Sequence, residues 1–162
     1  MFNRVLIANR GEIAIRIARA ASSLGIESVA VHAPIDALSL HAKLATRALE
    51  IGAHLSKTAD PVRAYLDIDA ILDAARRSGS DCVHPGYGFL SENAAFAQRC
   101  RDEGLRFVGP SPETLGLFGD KVKARTFAQS LDIPVVPGTP TPLASAADAE
   151  TLAQALGYPV ML

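Results

Sequence analysis

Short apolar runs separated by stretches of helical period leave this chain few folds to choose from. Val5-Leu6-Ile7-Ala8 is apolar at consecutive positions, so both of its faces expect cover, as in a buried parallel strand. From Glu12 the period becomes helical. Ile13, Ile17, Ala20 and Leu24 share one stripe, Glu12, Arg16, Arg19 and Ser23 the opposite one, and Gly25 stops the run. The alternation then repeats. Ser28–His32 is predicted as a second strand and residues 49–51 as a short third. A helix over Ile68–Ala75 ends near Gly79, and Cys82–His84 is again a strand. A helix capped by Ser91 carries Phe96 and Cys100, and Arg106–Val108 is the last strand of the series. Strands alternating with helices of about ten residues require right-handed crossovers, and hence a parallel, doubly wound α/β sheet.

After Pro110 the texture changes. Ser111-Pro112-Glu113 has a capping residue followed by proline at the first helical position, and a second helix is predicted from about Asp120 to Ser130. Ile133–Pro142 is proline-rich and reads as an extended connection, after which Ser145-Ala146-Ala147-Asp148 forms a capping box for a helix ending at Gly157. Pro159–Leu162 has the look of a strand onset, so the chain is expected to be a fragment of a larger unit.

Composition excludes several classes of function. With 49% hydrophobic and 20% charged residues the chain can bury a core. Sixteen basic and 17 acidic side chains leave a net charge of −1, which gives no electrostatic basis for binding nucleic acid or an anionic membrane. Three Tyr, six Phe and no Trp also weaken base stacking as a binding mode. Cys82 and Cys100 stand apart with no CxxC, so neither a zinc site nor a disulfide framework is expected, and the thiols suggest a reduced, cytoplasmic protein. No apolar stretch is long enough to span a bilayer.

In a parallel open sheet, ligands bind where strands hand over to helices at their carboxyl ends. Two such turns are unusual here. Asn9-Arg10-Gly11-Glu12 offers a helix N-terminus and a glycine that allows close backbone approach, yet it has one glycine where a dinucleotide site uses three. A tight turn with Arg10 in a structural ion pair explains it equally well. His84-Pro85-Gly86-Tyr87-Gly88-Phe89-Leu90-Ser91-Glu92-Asn93 is a shaped loop that gathers an imidazole, a phenol and a carboxylate before a helix. Its plain structural alternative has His84 satisfied in the core and Tyr87 and Phe89 packing over the sheet edge. A third candidate, Gly119-Asp120-Lys121, sets a cation in the first turn of a helix, where the dipole opposes it.

Together these segments resemble the biotin carboxylase domain of biotin-dependent carboxylases. Val5–Ala14 is similar to that family's N-terminal signature, and His84–Asn93, Gly119–Val122 and Gly157–Val160 match it in order and spacing. The resemblance implies a Rossmann-like parallel sheet, the pre-ATP-grasp domain, over residues 1–110. The truncated start of an ATP-grasp domain follows over residues 111–162. It implies ATP-dependent ligation: MgATP activates bicarbonate to carboxyphosphate, and biotin on a carrier protein or domain is then carboxylated. Lys121 falls on the family's first nucleotide-contacting lysine. His84, Tyr87, Gly88 and Glu92 fall on the loop lining the biotin and bicarbonate side of the cleft, and Arg16 and Arg19 on a helix face used for homodimerisation. A carboxyltransferase partner is implied as well. The family's magnesium-binding acids and catalytic residues would lie beyond Leu162, so no catalytic residue is assigned within the chain, and the chain alone is expected to be inactive. Departures occur at Ala33-Pro34-Ile35 and at Leu44-Ala45-Thr46-Arg47, where the family carries more polar or acidic residues. The competing readings are another ATP-grasp ligase, such as the carbamoyl phosphate synthetase large chain, and a non-catalytic dimerisation or nucleotide-binding module.

Overall fold

The computed structural model describes residues 2–55, 60–138 and 143–161. The chain divides into two compact units, Met1–Leu115 and Gly116–Leu162. In the first, five parallel strands, β1 (Arg4–Ile7), β2 (Glu27–His32), β3 (Arg47–Glu50), β4 (Cys82–His84) and β5 (Arg106–Phe107), lie in the order β3-β2-β1-β4-β5. The chain builds one half of the sheet outward from β1 and then returns to build the other. The switch point therefore falls between β1 and β4, where Ile7 pairs with His84. An extra bond from the Ala8 amide to the His84 carbonyl, 2.9 Å, carries the pairing to the strand ends.

Alternation along β1 distributes the core. Leu6 and Ala8 face a large cluster with Val29, Val31, Val83, Ile71, Leu72, Tyr65, Phe96 and Cys100, beneath helices α3 (Ile68–Ser78) and α4 (Ala94–Asp102). Val5 and Ile7 face the other side, with Cys82 and helix α1 (Gly11–Ser23). The stripe of α1 against the sheet is Ala14, Ala18 and Ala21, not the expected one: Ile13 and Ile17 are half-buried, Ala20 is exposed and Leu24 is 68% exposed. Alanines let the helix lie close to the strands, which leaves the bulkier isoleucines at the flanks of the contact. The short helix α2 (Leu40–Leu44) follows β2, and its buried His41 reaches the Val31 carbonyl through Nε2 at 3.3 Å. It was not foreseen, nor were two 3-10 turns, Pro34–Asp36 and Pro61–Leu66.

Ser91 does not cap α4. Asn93 does, its side chain accepting from the Phe96 amide at 2.9 Å, while the Ser91 amide closes a turn onto the Gly88 carbonyl. The loop is therefore longer by two residues than serine capping would make it. Helix α5 (Pro112–Phe118) begins as expected, with the Thr114 amide donating to Ser111 Oγ at 3.2 Å.

In the second unit, helix α6 (Lys121–Ser130) is capped by Asp120, which accepts from the amides of Val122 and Lys123. Helix α7 (Ala146–Leu156) opens on the Ser145–Asp148 capping box, with Ser145 Oγ accepting from the Asp148 amide at 3.2 Å. No residue of α6 is buried, and in α7 only Ala153 is. Of the expected connection over 133–142, residues 139–142 lie outside the described residues, and 133–138 form no helix or strand. The expected strand onset at Pro159 is not a strand as far as Met161, and Leu162 lies outside the described residues. No described helix is long and apolar enough to cross a membrane.

Cys82 and Cys100 are buried free thiols, and burial pushes both up to about 12. Thiolate, the reactive form, is accordingly suppressed. In an aromatic-disulfide titration at pH 8, both react about a hundredfold or more slower in the native chain than in denaturant. Native reaction at the denatured rate contradicts the packing of β4 and α4.

Candidate functional site

The turn after β1 and the loop after β4 meet at the switch point, and a single amide joins them. Asn9 is 4% exposed. Its Nδ2 donates to the carbonyls of Pro85 at 2.7 Å and Tyr87 at 2.9 Å, while its Oδ1 accepts from the Arg10 amide at 2.9 Å. Both N–H groups and the oxygen of this buried amide thus have partners inside the protein. Gly86 is required by this contact. Its φ is +68°, and a Cβ there would stand 2.6 Å from Asn9 Nδ2 and 2.7 Å from Ile13 Cγ2. Gly11 is needed for a different reason than the close approach expected: its φ is +61°, but the space beside it is open.

A second set of contacts holds the loop from its far side. Arg10 grips Asp36 with Nε and Nη2, at 2.8 and 2.6 Å. The Tyr65 hydroxyl donates to the same carboxylate at 2.7 Å and accepts from the Ala33 amide at 3.0 Å. The buried Tyr65 ring stacks on Phe89, centroids 5.6 Å apart and planes 10° from parallel. Phe89 has a φ of +43°, an unfavourable conformation for an aromatic residue, so the stack holds a backbone that would not choose this shape alone. The Arg10 hydrogen bonds hold the Asp36 carboxyl down at about 2, against the opposing effect of burial. The structural reading of Arg10 as an ion-paired residue is therefore correct.

The loop residues named from the sequence come together along this edge. His84 Nδ1 accepts from the Gly86 amide at 3.1 Å, and burial lowers its pKa, so the imidazole stays neutral with its proton on Nε2. Tyr87 is 71% exposed, and Gly88 and Glu92 are exposed beside it. Phe89, by contrast, packs, as its structural alternative required. Arg16 and Arg19 are exposed on the outer face of α1, Arg16 lying 3.8 Å from Glu12. Lys121 is exposed at the first helical position of α6, in the second unit. Sequence reasoning missed the roles of Asn9, Asp36 and Tyr65. Asn9 gave a signal, a polar side chain directly after a fully apolar strand. Asp36 and Tyr65 gave little, because each sits in a 3-10 turn with no periodicity.

Residues 1–115 match the family described as "Biotin carboxylase, N-terminal domain". The chain belongs to that family. Residues 120–162 match a second family, "Carbamoyl-phosphate synthase L chain, ATP binding domain". The chain is 48% identical to the biotin carboxylase of Halalkalibacterium halodurans over its full length, covering 35% of that protein. It is also 48% identical to the pyruvate carboxylase of Staphylococcus aureus, across 98% of its own length and 14% of that protein. It thus spans about a third of one relative and a seventh of the other. Among solved structures, the biotin carboxylase domain of a single-chain bacterial carboxylase superposes with a TM-score of 0.88 at 52% identity, over 99% of this chain and 36% of that one. The biotin carboxylase domain of Hydrogenobacter thermophilus 2-oxoglutarate carboxylase was solved as a dimer in complex with MgADP, ADP and bicarbonate. It superposes with a TM-score of 0.91 at 40% identity, over 98% of this chain and 34% of that one. As a biotin carboxylase N-terminal domain, the first unit has its shaped loop and its topological switch point at the same edge.

Asp36→Asn tests the inner contacts. It leaves Arg10 without its partner, and because the Arg10 side chain keeps 42% exposure, the cost in urea unfolding at pH 7 is about 2 kcal/mol, below that of a fully buried pair. The Asp36 carboxyl titrates lower in the folded than in the unfolded chain, so its contribution is complete above about pH 4 and is lost as pH falls toward 2. The gap between parent and variant narrows over that window. A gap that stays constant down to pH 2.5 contradicts the assignment.

Proposed function

We propose that this chain is the N-terminal part of a biotin carboxylase. The whole enzyme uses MgATP to convert bicarbonate to carboxyphosphate, and then carboxylates biotin on a carrier protein or domain for a carboxyltransferase. The observation that carries this reading is the His84–Asn93 loop, fixed at the switch point by Asn9 and by the Tyr65–Phe89 stack, with Tyr87 and Gly88 turned outward. In this reading Tyr87 and Gly88, with His84 and Glu92, line the side of the site that receives biotin and bicarbonate. A boundary between pre-ATP-grasp and ATP-grasp portions near residue 110 is supported by the first unit ending at Leu115.

Lys121 is the residue of this chain we assign to ATP: a flexible cation at the first position of α6, whose N-terminal dipole also favours phosphate. Magnesium would neutralise the charge of the ATP phosphates, and no residue of this chain is assigned to it. The exposed Arg16 and Arg19 face of α1 is proposed as a homodimer surface. Buried thiols fit a reducing compartment such as the cytoplasm. The alternative of a carbamoyl phosphate synthetase has one observation in its favour, the family matched by residues 120–162.

Phosphate release separates these readings. The 162-residue chain with ATP, bicarbonate and free biotin releases phosphate at the buffer rate. The complete carboxylase bearing the chain releases it in proportion to biotin, and Lys121→Gln raises its KM for ATP about tenfold, as loss of a charge-assisted phosphate contact would. Release driven by ammonia or glutamine in place of biotin supports the synthetase instead. In sedimentation, Arg16→Glu combined with Arg19→Glu converts the complete enzyme from dimer to monomer. An unchanged sedimentation coefficient removes α1 from the interface.

A further inference from the structure

We infer that Asn9 is a positioning residue for the biotin-side loop, an assignment that rests on the function proposed above. The loop has little internal support. Within the loop the Gly86 amide goes to His84 Nδ1, the Ser91 amide to the Gly88 carbonyl and the Asn93 amide to the Leu90 carbonyl, which leaves the carbonyls of Pro85 and Tyr87 to partners outside it. Gly86 and Gly88 both have positive φ, as does Phe89, so three of four successive residues sit in conformations that unconstrained non-glycine backbone avoids. A loop of this kind keeps one shape only if something outside it fixes its carbonyls. The Asn9 amide does so, with one N–H on Pro85 and the other on Tyr87, the residues either side of Gly86.

Asn9 is itself fixed. It follows the fully buried residues Leu6, Ile7 and Ala8, and its Oδ1 is held by the Arg10 amide. The side chain therefore transmits the position of β1 to the Tyr87 backbone, while the Tyr87 side chain remains 71% exposed and free to meet a ligand. Asn9 is nearly sealed from solvent, so it acts through Tyr87 and Gly88 rather than by contact with substrate. Only a side chain with two donors and one acceptor at this length fits all three partners. Aspartate, the same size, would turn one acceptor oxygen toward both carbonyl oxygens while its other oxygen still takes the Arg10 amide.

Two measurements test this. In the 162-residue chain, hydrogen exchange at the Gly86, Ser91 and Asn93 amides is at least tenfold faster in Asn9→Asp than in the parent, while amides of β1 and β2 stay within twofold. Unchanged loop protection overturns the assignment. Asn9→Ser, which keeps one donor and no charge, gives an intermediate increase and covers the case in which the aspartate variant does not fold. In the complete carboxylase, Asn9→Ser raises the KM for free biotin at least fivefold and leaves the KM for ATP, which the loop does not line, within twofold. An equal rise in both constants, or in neither, overturns the positioning role. A parent enzyme that shows no biotin-dependent ATP cleavage refutes the proposed function instead, and the exchange rates of the loop still decide whether Asn9 holds it.

Discussion

Parallel pairing of β1 with β4 puts Ile7 beside His84, and the chain leaves both strands at the same edge of the sheet. Because β2 and β3 are laid down on one side of β1 and β4 and β5 on the other, no crossover helix covers the gap between the two exits. The first turn and the shaped loop are forced together there. Asn9 then satisfies, with one buried side chain, carbonyl groups that neither segment could pair by itself.

A chain of contacts starts at the neighbouring residue and reaches the same loop from the other side. Arg10 holds Asp36, Asp36 holds the Tyr65 hydroxyl, and the Tyr65 ring supports Phe89 in its left-handed conformation. The charge in this chain is not placed for catalysis. Its carboxylate is saturated by a bidentate guanidinium and a phenol, and its effect is to lock geometry. Rigidity in the support and exposure at the tip go together: Phe89 and Leu90 pack inward, and Tyr87 and Gly88 do not.

Most of the parallel sheet was legible in the sequence because apolar runs such as Val5–Ala8 and Cys82–Val83 can satisfy both faces only inside it. The shaped loop was legible as well, in the glycines of His84–Asn93 that take up its positive φ angles. What periodicity could not reveal was contact between elements. The choice of Ala14, Ala18 and Ala21 as the buried stripe of α1 depends on how near the helix lies to the strands, and the larger isoleucines gave the more conspicuous pattern. Asp36 and Tyr65 lie in 3-10 turns, too short for a period to register, and are joined only through tertiary structure. Ser91 and Asn93 are both good capping residues, and the turn closed by the Gly88 carbonyl settles the choice in favour of Asn93. The second unit, with few buried side chains, offered capping motifs that hold and a strand onset at Pro159 that does not.

The central claim is that the edge shared by β1 and β4 presents the loop to biotin and bicarbonate. A crystal structure of the complete carboxylase soaked with free biotin and bicarbonate tests it most directly. The account predicts ligand density in van der Waals contact with Tyr87 and Gly88, with the Asn9 amide still bonded to the Pro85 and Tyr87 carbonyls. Biotin ordered elsewhere, with the tip of this loop facing only solvent, would contradict it.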